Sequence, residues 1–272
     1  MKKIISKTLL ILLTVFSFAS CRHEGVYYPD ISKTFVLVHG SWQAPWVWNK
    51  VESQLIKAGQ KVIVIELPAH GDDSTLPINT SLDIYRDKVI AAVNNTKGKV
   101  ILVGHSLGGM ITSEVAEKIP AKIERLVYIG AYIPANGQSL LDLANTDKQS
   151  LLGPALVPSA DKLTLDVQKD VLISIFCEDA PENVKKEMLE RYRAEPVIPF
   201  TNKAVVTDQN FGRIQKFYLH TLQDHAVGLD LQKQMAEAAH VIKTFSLNTS
   251  HSPFLSQPDE VVKILLTIAS LK

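Results

Sequence analysis

Short apolar runs alternate along most of this chain with segments whose apolar residues recur at helical spacing. The runs are Thr34–His39, Lys61–Glu66, Val100–Gly104, Ile123–Tyr132, Arg213–His220 and His240–Leu247. Continuous apolar runs of this length predict strands that are buried on both faces. Because most runs are followed by a helical segment, the pattern predicts an α/β fold with a mostly parallel sheet of about six strands and helices on both faces.

Four segments with helical spacing separate or follow these runs. They are 46–58, 81–95, 107–119 and 259–271. The second places Leu82, Tyr85 and Val89 on one side, and Pro120 ends the third. The sequence Ser256-Gln257-Pro258-Asp259 predicts a capping box at the start of the last helix.

Residues 133–212 break the alternation. This stretch has no strong strand pattern, but it contains two helix starts, at Ser139 and at Asp179-Ala180-Pro181-Glu182. A connection of roughly 80 residues is far longer than an ordinary crossover between neighbouring strands. We therefore predict an inserted helical cap over the sheet, with the core built from residues 33–132 and 213–272.

The first 21 residues have the pattern of an export signal. Lysines precede an apolar run, 8–19, that is shorter than a membrane-spanning helix requires. The run ends in Phe18-Ala19-Ser20-Cys21, which resembles the lipobox of bacterial lipoproteins, although leucine is usual where Phe18 stands. The resemblance implies a signal peptide over 1–21, a tether over 22–32, and a protein of the cell envelope that is anchored at the membrane by lipid on Cys21.

Two alternatives remain for this segment. A plain signal peptide would leave the protein periplasmic or secreted, with Cys21 incidental. An exported protein could also pair Cys21 with Cys177, the other cysteine of the chain.

Composition narrows the possible functions. The chain has 272 residues, of which 46% are hydrophobic, and its 29 basic and 28 acidic residues give a net charge of +1. A nucleic-acid-binding protein usually has a strong basic surplus, so no such partner is expected, and membrane contact would depend on the lipid alone. Metal-ligand spacings and phosphate-binding glycine motifs are missing, which predicts no metal and no cofactor. The oligomeric state is not indicated.

The motif with the clearest chemical meaning is Gly104-His105-Ser106-Leu107-Gly108. It follows a predicted strand and precedes a predicted helix, which is where a G-x-S-x-G turn projects a serine hydroxyl above the sheet edge. Ser106 is therefore the candidate nucleophile. The Leu107 backbone N–H, at the start of that helix, is a candidate donor to a developing oxyanion.

Partners for this serine are expected in the chain order serine, acid, histidine. His251 lies in the loop between the last predicted strand and the last predicted helix, and is the candidate general base. Asp224 follows the preceding strand and is the candidate acid, with Asp230 as the alternative. The loop after the first strand supplies the Ser41 backbone N–H as the second oxyanion donor and Trp42 as a candidate pocket residue.

These residues resemble those of the α/β-hydrolase superfamily, and the likeness covers about residues 33–272. Several stretches are similar to its methylesterase and hydroxynitrile-lyase-like branch: Phe35–Gly40, Trp46 with Trp48, Leu102–Met110, Leu126–Ala144 and Phe176–Glu182. The resemblance implies a cap over the active site, small esters or cyanohydrins as substrates, Ser106, Asp224 and His251 as a catalytic triad, and Ser41 and Leu107 as oxyanion donors.

The sequence therefore predicts a serine hydrolase that cleaves small carboxylic esters through an acyl-enzyme. In lyases of this branch a lysine directly follows the catalytic histidine, whereas Ser252 stands there in this chain. Ser41 keeps the lyase alternative open, because lyases use a hydroxyl near that position. A ligand-binding protein without hydrolytic activity is the other alternative, because a fold does not fix a function.

Overall fold

The computed structural model describes residues 32–271. Nine strands occur in this range, three of them in the cap. In chain order they are β1 Thr34–Val38, β2 Lys61–Ile65, β3 Val100–His105, β4 Ile123–Ile129, β5 Leu156–Pro158, β6 Thr164–Val167, β7 Glu195–Pro196, β8 Gln215–Thr221 and β9 Lys243–Leu247.

The main sheet has the order β2-β1-β3-β4-β8-β9, and every neighbouring pair is parallel. The predicted sheet of six strands is therefore confirmed. After β2 the chain passes over β1 to form β3, so the strand order reverses between β1 and β3. Ligands of open parallel sheets bind beyond the carboxyl ends of the strands at such a reversal. The loops that follow Val38 and His105 meet there.

The helices flank this sheet. They are α1 Asn49–Lys57, α2 Leu82–Asn94, α3 Gly108–Lys118, α4 Leu140–Ala144, α5 Leu152–Ala155, α6 Lys169–Phe176, α7 Glu182–Arg191, α8 Ile198–Thr201, α9 Leu229–Ala238, α10 Pro253–Ser256 and α11 Pro258–Ser270. The first and last pack against each other, and α2 packs against α3. Ser81 caps α2 by accepting a hydrogen bond from the Ile84 N–H.

The predicted capping box before the last helix is wrong. Ser256 ends the short helix α10, Gln257 occupies the N-cap position of α11, and no side chain caps that terminus. The difference arises because Pro253 starts an extra helical turn directly after His251 and Ser252. That turn packs Phe254 against the His105 ring, with the ring centres 4.7 Å apart.

The cap contains helices, as predicted, but also a small sheet that the sequence did not indicate. Strands β5, β6 and β7 pair antiparallel in that order. These strands have two to four residues each, too few to show an alternating apolar pattern. The expectation that 133–212 would hold no strand is therefore wrong, and the sheet carries Glu195 into the interior of the protein.

The predictions for the N-terminal segment lie outside the described residues. They concern the signal peptide over 1–21, lipid on Cys21, and nearly all of the tether over 22–32. Within residues 32–271 no helix is long and apolar enough to cross a membrane. Cys177, the other half of the alternative disulfide, is a buried residue of the cap.

Close packing at the start of α3 gives a test of the fold. A Cβ added to Gly109 would lie 2.2 Å from the Tyr132 carbonyl oxygen, whereas one added to exposed Gly153 would meet nothing within 4 Å. Gly109→Ala is expected to lower the free energy of unfolding by about 2–3 kcal/mol, because the backbone at Tyr132, in the loop after β4, must shift. Urea denaturation measures this, with Gly153→Ala as the control; equal stabilities for the two variants would contradict it.

Candidate active site

Ser106 lies on the sharp turn between β3 and α3. Its backbone has a φ of +53°, a left-handed conformation that is uncommon for a residue with a side chain. The turn is held because the Ser106 carbonyl accepts hydrogen bonds from the N–H groups of Gly109 and Tyr132, at 3.0 and 3.2 Å. Backbone strain of this kind persists only where the surroundings enforce it, and it clusters at functional sites.

The loop after β1, residues 39–42, lies directly against this turn; we call it the oxyanion loop. A Cβ added to Gly40 would be 2.6 Å from the Ser106 Cβ, so only glycine allows this approach. Within residues 32–271 the N–H groups of Ser41 and Leu107 donate no hydrogen bond. Two free amides beside a serine hydroxyl match the arrangement that stabilises a negatively charged oxygen.

His251 and Asp224 meet at the carboxyl edge of the sheet. His251 Nδ1 donates to Asp224 Oδ2 across 2.8 Å. The Thr221 hydroxyl and the amides of Ala226 and Val227 also donate to the carboxylate, at 2.6–2.8 Å. These bonds fix the carboxylate, and therefore the imidazole that it contacts, in one orientation.

The other nitrogen of His251 is free. His251 Nε2 is buried and has no hydrogen-bond partner among the described residues. The structure does not form a hydrogen bond between it and the Ser106 hydroxyl, although His105, the residue before the serine, donates from Nε2 to the His251 carbonyl at 3.0 Å. Hydrogen bonds between catalytic groups are often long before a substrate binds.

The other acid considered from the sequence does not reach this site. Asp230 is exposed, and it lies in the first turn of α9 rather than in the loop after β8. His225, next to Asp224, is occupied by the cap, because its Nδ1 donates to the Ser174 carbonyl at 2.9 Å.

Aromatic side chains form one wall beside His251. Trp42 is buried, and its ring centre lies 5.6 Å from that of Phe176 and 5.8 Å from that of Phe200. The Phe176 ring is in turn 5.7 Å from the His251 ring. Trp42 therefore links the oxyanion loop, of which it is the last residue, to the cap, and Phe176 contacts both Trp42 and the predicted catalytic base.

Sequence reasoning missed three polar residues around this site, Gln43, His70 and Glu195. Gln43 donates from its amide to the Ser252 hydroxyl at 2.8 Å, and His70 pairs with Glu195 at the same distance. These three side chains and that of Ser252 are buried. The position of His70 in the loop after β2 was the available signal. Glu195 lies in the cap, where no apolar pattern indicated which residues face the interior. Residues 32–271 contain no cluster of histidine, cysteine or acidic residues that could hold a metal.

Comparison with known proteins identifies the family. The model of the alpha/beta hydrolase family matches residues 35–264. The chain belongs to this family. Two Arabidopsis thaliana proteins named as chloroplastic methylesterases are 34% and 30% identical to this chain, over 88% and 92% of its length. The chain spans only 57% and 67% of their lengths. These relatives place it in the methylesterase-like branch of the family.

A solved structure has the same fold as this chain. The crystal structure of a methylesterase from Arabidopsis matches with a TM-score of 0.78 and covers 88% of this chain and 99% of its own. The sequences are 22% identical, so this likeness concerns the fold alone.

Two histidines beside the site are held neutral. Burial, and then the nearby His70, lower the pKa of His39 to about 3. Burial, and then His251, lower the pKa of His105 well below its usual value. Each ring has one N–H that donates to a backbone carbonyl, of Gly40 and of His251 respectively, which fits the neutral form.

These depressed pKa values predict loss of stability in acid. Below a pH of about 6.5, the pKa of histidine in the unfolded state, the unfolded chain binds protons that the folded protein does not bind. The free energy of unfolding therefore falls as the pH falls. Each histidine contributes a slope of about 1.4 kcal/mol per pH unit. His70, whose pKa is raised, does not reverse this trend, because its stabilising contribution is fully present below the same unfolded pKa.

Urea denaturation at about pH 7, 6 and 5 measures that slope. His105→Gln is expected to remove roughly one histidine's share of it, about 1.4 kcal/mol per pH unit. His240→Gln, which changes an exposed histidine, is expected to keep the slope of the unaltered protein. The same slope in both variants would show that His105 is not held neutral.

Proposed function

We propose that this protein is a carboxylic-ester hydrolase in which Ser106, Asp224 and His251 form a catalytic triad. The observation that carries the proposal is the 2.8 Å hydrogen bond from His251 Nδ1 to Asp224, which leaves Nε2 buried and without a partner among the described residues. A histidine oriented in this way is a general base for a neighbouring hydroxyl. The methylesterase relatives support the same activity.

In the first half of the reaction, Ser106 Oγ attacks the carbonyl carbon of the ester while His251 Nε2 takes the hydroxyl proton. The tetrahedral intermediate collapses, the C–O bond of the ester breaks, and the alcohol leaves with the proton from His251. The acyl group stays on Ser106. Water then attacks that acyl group, His251 again takes and returns the proton, and the carboxylic acid is released.

The oxyanion of each tetrahedral intermediate would lie between the N–H groups of Ser41 and Leu107. Neither amide is used elsewhere among the described residues, so no existing hydrogen bond has to break when the charge develops. Donors that are already oriented and shielded from water stabilise that charge far more than solvent does.

Asp224 sets which nitrogen of His251 is basic. Because the carboxylate accepts the proton on Nδ1, the lone pair of the neutral ring is on Nε2. It also stabilises the imidazolium that forms when Ser106 loses its proton.

Small esters with an apolar acyl or alcohol group are the proposed substrates. Ser106 and His251 are at most 7% exposed, which leaves a site enclosed by the cap, and Trp42, Phe176 and Phe200 give it an apolar wall. The relatives named as methylesterases make methyl esters the first to test. Where related lyases carry lysine, Ser252 is buried and binds Gln43, which disfavours cyanide chemistry.

Ser106→Ala is expected to lower kcat by roughly 10⁴- to 10⁶-fold, because it removes the nucleophile. The substitution deletes one oxygen, so the melting temperature should change little. Hydrolysis of a series of short-chain methyl and p-nitrophenyl esters measures the effect, and Ser270→Ala, at an exposed serine of α11, is the control. Full activity in Ser106→Ala would refute the proposed nucleophile.

Labelling with a fluorophosphonate tests the triad without requiring the right ester. The probe is expected to modify Ser106 stoichiometrically, and labelling should be lost in His251→Ala. Asp224→Asn should lower kcat by about 10⁴-fold, because an amide that donates to Nδ1 stabilises the wrong tautomer. Asp230→Asn is the matched control, and an equal loss there would contradict the role given to Asp224.

We also propose that the protein is exported and lipidated at Cys21. The support is the charged start, the short apolar run and the sequence Phe18-Ala19-Ser20-Cys21. Expression of the full chain in a bacterium with radiolabelled palmitate should label the protein and send it to the detergent phase. Cys21→Ser should abolish both, whereas Cys177→Ser should change neither. Unlabelled protein in the medium or periplasm would instead support a plain signal peptide.

A further inference from the structure

Trp42, the last residue of the oxyanion loop, is bound to the cap through all of its polar groups. Its N–H donates to Glu195 Oε2 at 2.8 Å, and its indole Nε1 donates to the Leu165 carbonyl at 2.9 Å. The Trp42 carbonyl accepts a hydrogen bond from the Arg193 N–H at 3.3 Å. The residue has a φ of +59°, which an L-amino acid adopts only where its surroundings enforce it.

Of these three cap partners, Glu195 alone bonds through its side chain, and that side chain is fully buried. The same oxygen that accepts the Trp42 N–H also accepts from His70 Nε2 at 2.8 Å. His70 Nδ1 lies 3.0 Å from the Pro68 carbonyl oxygen. Because both partners of the ring are acceptor oxygens, His70 donates from both nitrogens and is positively charged.

The pair therefore joins three parts of the chain. Glu195 comes from strand β7 of the cap, His70 from the loop after β2, and Trp42 from the loop after β1. Burial lowers the pKa of His70, but the charge of Glu195 and its hydrogen bond raise that pKa by more. A buried carboxylate paired in this way has little freedom to move, so it fixes the backbone N–H that it accepts.

We propose that Glu195, held by His70, is a positioning residue for the oxyanion hole. It fixes the Trp42 N–H, and therefore the peptide group that joins Ser41 to Trp42. That peptide limits rotation of the neighbouring Gly40–Ser41 peptide, whose Ser41 N–H would point toward the oxygen that becomes charged. The inference rests on the proposed function. It makes the cap part of the catalytic apparatus and not only a cover over the substrate.

The geometry explains why Ser41 depends on this contact. On one side, Gly40 packs directly against the serine turn, so close to Ser106 that no side chain fits between them. On the other side no core residue bonds to the polar groups of Trp42; their partners within residues 32–271 all lie in the cap. Loss of the Glu195 acceptor would free the peptide between Ser41 and Trp42. The φ and ψ angles of Ser41 could then change, and the Gly40–Ser41 peptide, which carries the donor, could turn away.

Three substitutions of Glu195 separate this role from simple packing. Glu195→Met keeps the length and removes the acceptor, Glu195→Asp keeps the charge but withdraws it from the Trp42 N–H, and Glu195→Gln keeps an acceptor within reach. Loss of one oxyanion donor costs about 10²- to 10³-fold in kcat, so a misplaced donor is expected to cost about 10- to 100-fold. Met and Asp should show that loss with KM within about 2-fold, whereas Gln should stay within about 3-fold of the unaltered protein.

Rates are normalised to the sites titrated with fluorophosphonate, so that unfolded protein does not count. The second readout is the affinity of a trifluoromethyl ketone, whose adduct with Ser106 places an oxyanion in the hole, compared with the matching methyl ketone. The trifluoromethyl ketone should bind the Asp and Met variants more weakly by the same factor as kcat falls, with methyl ketone binding unchanged. Glu187→Met and Glu187→Gln, on partly exposed Glu187 of the same cap, are the controls.

The outcomes distinguish the two proposals. An unaltered protein that neither hydrolyses esters nor labels at Ser106 would overturn both. An active protein whose Asp and Met variants keep kcat and trifluoromethyl ketone affinity would overturn the positioning role alone. So would a loss in Glu195→Gln as large as in Glu195→Met, because the acceptor is retained there. If Glu195→Met does not fold, the Asp and Gln variants decide the question.

Discussion

The oxyanion loop and the serine turn touch at a point where no side chain fits. A Cβ on Gly40 would come within 2.8 Å of both Ser106 and His105, and the turn itself has a strained backbone at Ser106. This close approach is possible because β1 and β3 are neighbours, with Val38 opposite Gly104. The two free amides, of Ser41 and Leu107, directly follow the two residues that touch, Gly40 and Ser106. The loop that carries His251 is joined to the same turn, because His105 Nε2 donates to the His251 carbonyl.

The cap reaches each loop of the site by a different polar contact. Glu195 accepts a hydrogen bond from the oxyanion loop, and the Ser174 carbonyl accepts one from His225, next to Asp224. Asp179 accepts one from Ser250, next to His251. The contact of Glu195 with Trp42 is buried, and breaking such a contact is costly because a desolvated group is left without a partner. The cap is therefore an integral part of the site, and its sequence bears on catalysis as well as on the choice of substrate.

Apolar runs along the chain were sufficient to predict the sheet, because its central strands β1, β3 and β4 are buried on both faces and are therefore largely apolar. The loop positions of Ser106, His251 and Asp224 followed from the strand order that such a sheet requires. The structure of the cap was harder to predict from the sequence. Its strands β5, β6 and β7 are too short to have a period that distinguishes them from a loop. The capping box predicted before α11 was wrong because of the extra turn that starts at Pro253.

The sequence by itself determined the parallel sheet, the turn that carries Ser106 and the order of the candidate triad. These features depend on local signals: apolar runs, a glycine-flanked serine, and polar residues directly after strands. Only the tertiary structure decided that Asp224 rather than Asp230 meets His251, and that Glu195 pairs with His70 across 125 residues of chain. Contacts of that separation depend on how the cap folds back over the sheet, and no local pattern records them.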